Sequence, residues 1–294
     1  MVVQDILNAT VHFVAGKGGV GKTTMAYALA QFCAHRGKTL LVVLSEEPFS
    51  EHEPTVASIK AIGTNLFYVK IYPDQTIYEY LLLKIHSQKV LDALMSKSLF
   101  RALCAAMPGL SDLTRLGKIW YHADPEHGLK DQIFHHIVVD MPSSGFVGRF
   151  LSIPSVVTDA VKVGPIAKEA RLMRDYFADA RHARLHIVAL PEDLIVQETI
   201  ELYQQVARSS IGLGFLMLNR LLPKHPSIDV VDAYKNLSLV IRSYGKRAQD
   251  EALQTARLKD SIPIPLILLN DYGEELLEST LLNLLERELK RAWL

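Results

Sequence analysis

Gly16-Lys17-Gly18-Gly19-Val20-Gly21-Lys22-Thr23-Thr24 is the stretch from which the rest of the chain is read. An apolar run, Val11-His12-Phe13-Val14-Ala15, comes before it, and the helix-compatible Met25-Ala26-Tyr27-Ala28-Leu29-Ala30 follows. Strand, glycine-rich loop and helix, in that order, form the setting of a phosphate-binding loop. Glycines let the backbone curl so that successive N–H groups converge on an anion, and the helix start adds its own unpaired N–H groups and positive dipole end. In that setting Lys22 is expected to reach the β- and γ-phosphates, and the Thr23 hydroxyl to ligate Mg²⁺. The candidate nucleotide contacts are Gly16, Gly18, Gly19, Val20, Gly21, Lys22, Thr23 and Thr24, with a nucleotide and Mg²⁺ as the expected ligands.

A chain of 294 residues can form one large α/β domain or a domain with a sizeable insertion. Lys plus Arg and Asp plus Glu both number 32. No global basic field therefore favours nucleic acid, and none is expected as a partner. The two cysteines, Cys33 and Cys104, are far apart and form no C-x-x-C, which suits a reducing compartment. No secretory leader pattern is visible, and no apolar run approaches the ~18–20 residues that span a bilayer. A cytoplasmic protein without direct membrane insertion is the expectation.

Strands are predicted at 11–16, Thr39–Leu44, Leu66–Ile71, Ile137–Asp140, Leu185–Leu190, Gly214–Arg220 and Ile262–Leu268. Helical patterns fill the intervals, including 165–181, 193–208, 228–258 and a last helix from Gly273. The block from Gln75 to about Tyr121, broken at Pro108-Gly109, is too long for one crossover helix. The fold class read from this order is α/β: a doubly wound, mostly parallel sheet of P-loop NTPase type. Residues 1–294 are read as one such domain, with a helical insertion at 75–122 and about 147–181. Asp140, ending an apolar strand, stands where such a fold holds Mg²⁺ or its water shell; the alternative is a cap on the next helix.

With Lys17 present, the loop resembles the deviant Walker A loop of the MinD/ParA/nitrogenase-iron-protein/ArsA class of P-loop ATPases. That resemblance implies that Lys17 crosses a dimer interface to the other subunit's nucleotide, so an ATP-dependent homodimer is expected. Asp140-Met141-Pro142-Ser143-Ser144-Gly145-Phe146, with Arg149 and Pro154 behind it, resembles the D-T-A-P-T-G-H-T-x-R-x-L-x-x-P switch II stretch of the ArsA-like, tail-anchored-protein-targeting branch. Met107-Pro108-Gly109 through Asp112 looks like that branch's M-P-G-x-x-E turn, and Pro191-Glu192 with Glu198-Thr199 like its P-E-x…E-T segment. Asn219 falls at the branch's adenine-reading asparagine, and Pro265 lies in a looser match that would also contact nucleotide.

The departures are specific. Where the branch has S-T-D-P in switch I, this chain has Ser45-Glu46-Glu47-Pro48, so Glu47 takes the place of the water-positioning Asp. An added methylene can shift a carboxylate by more than ~1 Å, enough to slow hydrolysis. Phe146 and Val147 replace the usual His and Thr. The zinc C-x-x-C and the arsenite pump's cysteine cluster are absent, so a metalloid is not expected, and neither cysteine has the context of an iron–sulfur ligand.

By resemblance, the chain is expected to be a dimeric ATPase switch in which Lys17, Lys22, Glu47 and Asp140 serve hydrolysis. Its helical insertion would hold a hydrophobic client or membrane-protein partner; in the alternative, the apolar stripes only pack on one another. Two other readings remain: a nucleotide-binding module with little hydrolysis, and a MinD/ParA-like positioning ATPase. The acidic balance of the C-terminal segment, with Glu274, Glu275, Glu278 and Glu286, argues against a lipid-bound terminal helix.

Overall fold

A computed structural model describes residues 3–47, 56–98, 107, 109–128, 133–222 and 239–271. Among the described residues, eight strands form one sheet: β1 Val11–Gly16, β2 Thr39–Leu44, β3 Lys60–Gly63, β4 Leu66–Ile71, β5 His136–Asp140, β6 Ala183–Ala189, β7 Gly212–Leu221 and β8 Leu266–Asn270. Their order is β3-β4-β2-β5-β1-β6-β7-β8. The β3–β4 pair is antiparallel and every other pair is parallel. Strands β1, β5 and β6 are buried along their whole length, so they are mostly apolar without strict alternation, and the polar residues within them, among them His12, His136, Arg184 and His186, are buried too.

The helices are α1 Val3–Leu7, α2 Lys22–Ala34, α3 Pro73–Ile85, α4 Gln88–Met95, α5 Leu110–Ala123, α6 Ser144–Ala160, α7 Pro165–Ala178, α8 Asp193–Ala207 and α9 Leu239–Ser261. They cover both faces of the sheet. On one face Asp140 of β5 meets Thr23 of α2. On the other, Phe13 of β1 packs edge-on against Phe177 of α7 with ring centroids 5.7 Å apart. Helices α3, α4 and α5 lie in the long connection from β4 to β5, and α6 and α7 between β5 and β6. Among the described residues, no helix is long and apolar enough to cross a membrane.

The structure corrects several boundaries. The 75–121 pattern breaks first at His86, which takes a left-handed conformation with φ 54° and ends α3. Strand β8 begins at Leu266 rather than Ile262, because Pro263 and Pro265 have no N–H to give a ladder. The Pro265 carbonyl nevertheless accepts from the Leu216 N–H at 2.9 Å and starts the β7–β8 pairing. Strand β3 was not anticipated: all four of its residues are exposed at the sheet edge, so no apolar signature marks it. Residues 228–238 of the predicted 228–258 helix, and the predicted helix from Gly273, fall outside the described residues.

Helix α5 is anchored by an amphipathic stripe. Leu116 and Ile119 are fully buried, as is nearly all of Trp120, whereas Val163, in the α6–α7 link, is 83 % exposed. Leu116→Ala should therefore lower the unfolding free energy by about 2–5 kcal/mol. Val163→Ala should stay within about 0.5 kcal/mol. Urea unfolding monitored by circular dichroism measures both.

Candidate functional site

The loop residues sit where β1 hands over to α2. Gly16 is forced: a Cβ there would lie 2.3 Å from the Val188 carbonyl oxygen of the neighbouring strand. Gly21, the N-cap of α2, has φ 96°, and no side chain caps the helix. The first-turn N–H groups thus face the loop without a side-chain acceptor, as an anion site requires. A Cβ on Gly21 would come 2.5 Å from Asn219 Nδ2, which donates to the Val20 carbonyl at 3.0 Å. Asn219, at the end of β7, is therefore a brace for the loop backbone.

Lys22 folds back over the loop and donates from Nζ to the Lys17 carbonyl at 2.9 Å. Burial lowers its pKa, while the charges of Asp140 and Glu46 pull it back up. The Thr23 hydroxyl donates to Asp140 Oδ2 at 2.7 Å. Asp140 Oδ1 is buried without a hydrogen-bond partner. Burial raises the Asp140 pKa above its ordinary value, against the Thr23 hydrogen bond and the Lys22 charge. A hydroxyl and two carboxylate oxygens beside an ammonium form a hard-oxygen set of the kind Mg²⁺ takes.

Lys17 is paired within its own chain: its Nζ lies 2.6 Å from Glu198 of α8, and both side chains are about one-third exposed. A pair so open to water is worth only ~0–1 kcal/mol and is easily exchanged. In the switch stretch both Glu46 and Glu47 are exposed. Glu46 is the one whose charge reaches Lys22, while the Glu47 carbonyl accepts from the Ser45 hydroxyl at 3.2 Å. Pro265 directly precedes β8, the strand beyond β7 from the loop.

Arg115, which no motif singles out, ties the pieces together. It is nearly fully buried in α5 and donates to the Ser45 carbonyl at 2.9 Å. It is also ion-paired to Asp112, one turn before it. Its guanidinium lies 5.0 Å from the Phe146 ring and 5.7 Å from the Phe150 ring, both on α6. Arg149 approaches Phe146 at 5.4 Å and Asp112 at 3.7 Å. Phe146 is thus gripped between two arginines.

His12, Cys33 and His136 bring ligand-type atoms within 4.8 Å of one another under α2. The hydrogen bonds argue against a metal there. His186 Nδ1 accepts from the Phe215 N–H at 3.1 Å, so its Nε2–H must be the donor to His12 Nδ1, also 3.1 Å away. That leaves His12 Nε2 carrying a proton rather than a lone pair. Burial and Arg184 bring the His186 pKa down to about 3, and burial also lowers that of His12, so this relay is uncharged at neutral pH.

The raised Asp140 pKa fixes the sign of a pH effect. The folded chain holds this proton more tightly than the unfolded one. The site is therefore most favourable below the ordinary carboxylate pKa and loses stability as pH rises through the raised value. Asp140→Asn should accordingly have a higher unfolding midpoint than the parent at pH 7, with the gap closing toward pH 3. Thermal unfolding across that range checks it.

Comparison with known proteins follows the same lines. The profile of the family described as anion-transporting ATPase matches residues 9–168. ATPase BagA of Mycobacterium tuberculosis is 30% identical over 227 residues, covering 73% of this chain and 66% of the relative. The chain's match thus spans just under two thirds of that relative's length. ATPase GET3 of Podospora anserina is 22% identical over 307 residues, covering 90% of this chain and 87% of the relative. ATPase GET3 of Rhodotorula glutinis is 31% identical over 155 residues, 51% of this chain and 42% of the relative. The chain belongs to the ArsA-type, anion-transporting ATPase family.

Proposed function

We propose that this chain is a cytoplasmic ATP-hydrolysing switch that closes as a homodimer on ATP·Mg²⁺ and passes nucleotide state to its helical block. The observation that carries the proposal is the Lys22–Thr23–Asp140 cluster at the uncapped start of α2. Backbone N–H groups of the loop would hold the phosphates, and Lys22 would neutralise charge on the transferring phosphoryl group. Thr23 and Asp140 would hold Mg²⁺, which supplies charge neutralisation at the phosphates when bound. Glu46 and Glu47 offer carboxylates near the loop for orienting water. Glu46 has the closer electrostatic link to Lys22.

Lys17 would exchange Glu198 for the nucleotide of a second chain, since the pair it leaves is a weak one. Motion of the switch stretches would reach α5 through Arg115, which bonds to the Ser45 carbonyl and lies against the rings of α6. Exposed apolar side chains at the α6–α7 junction, Val156, Val161, Val163 and Ile166, support a surface there for a hydrophobic client. Phe146 favours slow turnover, because a ring held by two arginines cannot hydrogen-bond to a γ-phosphate.

Light scattering and phosphate release test this together. The parent should shift from its 32.9 kDa monomer to twice that mass with ATP·Mg²⁺. Lys17→Ala should remain monomeric. Lys22→Ala should lose turnover by about 10²- to 10³-fold, the usual cost of a transition-state charge stabiliser. A parent that stays monomeric in every nucleotide state contradicts the dimer, and turnover surviving in Lys22→Ala contradicts the site.

A further inference from the structure

A cavity of about 800 Å³ lies between the β3–β4 edge of the sheet and helices α3, α5 and α7. It is partly open to the surface rather than an enclosed void. Its size falls within the ~300–1,000 Å³ range of pockets that enclose small molecules. Phe67, Leu82, Leu113, Trp120, Phe134 and Met173 give it largely apolar walls. It is formed by a single chain and is separate from the phosphate loop.

Most polar groups on its wall are paired. Lys118 donates to Glu79 at 2.5 and 2.7 Å. Glu169 accepts from Tyr121 at 3.2 Å and also pairs with Lys84. Thr76 and Thr114 share a hydrogen bond of 3.1 Å. One group differs. The Lys38 ammonium lies 4.5 Å from the Phe134 ring centroid and 5.4 Å from that of Phe67, with no acidic partner among the described residues.

We propose that this cavity binds a long-chain carboxylic acid. The alkyl chain fills the apolar space and Lys38 pairs with the carboxylate. One cation without a counter-ion in an otherwise apolar pocket selects an amphipathic monoanion over a neutral hydrocarbon or a dianion. The site stands whether or not the chain dimerises or holds a client.

Occupancy has a route to the ATPase site. Leu113, Gly117, Trp120 and Tyr121 recur at helical spacing on the cavity side of α5. Asp112 and Arg115 of the same helix make the switch contacts. A ligand that shifts α5 therefore shifts the group bonded to the Ser45 carbonyl.

The test is a fluorescence titration of the full chain with cis-parinaric acid, followed by displacement with palmitic acid and with hexadecanol. The parent should bind the probe saturably at one per chain, and palmitic acid should displace it better than hexadecanol. Gly117→Leu should abolish binding, since a Cβ at Gly117 meets only the flexible Met173 side chain, at 3.6 and 4.0 Å, and the larger residue fills the cavity. Lys38→Gln, a half-buried position outside the ATPase site, should weaken the acids at least about tenfold and leave hexadecanol unchanged. No saturable binding to the parent overturns the proposal. So does acid binding that Lys38→Gln leaves intact, and this variant decides the matter even if Gly117→Leu fails to fold.

Discussion

The site depends on the register between β1 and β5. Val14 pairs with Asp140, so the acid that ends β5 is level with the strand that leads into the loop. Because β5 ends level with Val14, two residues before β1 ends at Gly16, the Asp140 carboxylate lies within hydrogen-bond reach of Thr23, one residue into the helix that the loop starts. A slip of one residue would turn Asp140 to the opposite face of the sheet, away from α2. On the other side of β1, Gly16 is level with Val188, whose carbonyl it approaches closely. The chemistry of the loop is thus held by sheet geometry rather than by the loop's own side chains.

Arg115 carries a second constraint. A nearly buried guanidinium has to be paired, and here it is met by Asp112, the Ser45 carbonyl and two aromatic faces. Removing one partner of such a buried pair typically costs ~3–5 kcal/mol, and each ring contact adds about 0.5–2 kcal/mol. These contacts tie the stretch after β2, the start of α6 and the helix α5 to one another. Phe146, the residue that departs from the pattern of the resembling ATPases, is part of this grip. Its ring replaces a polar group by a packing partner for two arginines.

Much of this was legible in the residues. Thr39–Leu44 and Leu66–Ile71 were readable to the residue: the first is a nearly continuous buried apolar run, and the second keeps Leu66, Val69 and Ile71 buried in a mostly apolar stretch. The loop announced itself through glycines whose backbone geometry no other residue adopts easily. The Lys17–Glu198 pair was not legible, since its members are 181 positions apart and meet only through the winding of the sheet. The histidine relay from Phe215 through His186 to His12 joins neighbouring strands, and nothing local marks it. Arg115 reads as an ordinary helical cation until the fold buries it. Glu46 and Glu47 are adjacent in sequence, and the turn that they share decides which of them faces Lys22.

Nucleotide bound at the loop should be felt in the helices between β4 and β6. Hydrogen–deuterium exchange of the full chain, with and without ATP·Mg²⁺, tests it most directly. Slower exchange in Leu110–Ala123 and Ser144–Ala160, together with the loop, is the result predicted by the Arg115 contacts. Protection confined to residues 16–24 and the end of β5, with both helices unchanged, would contradict it.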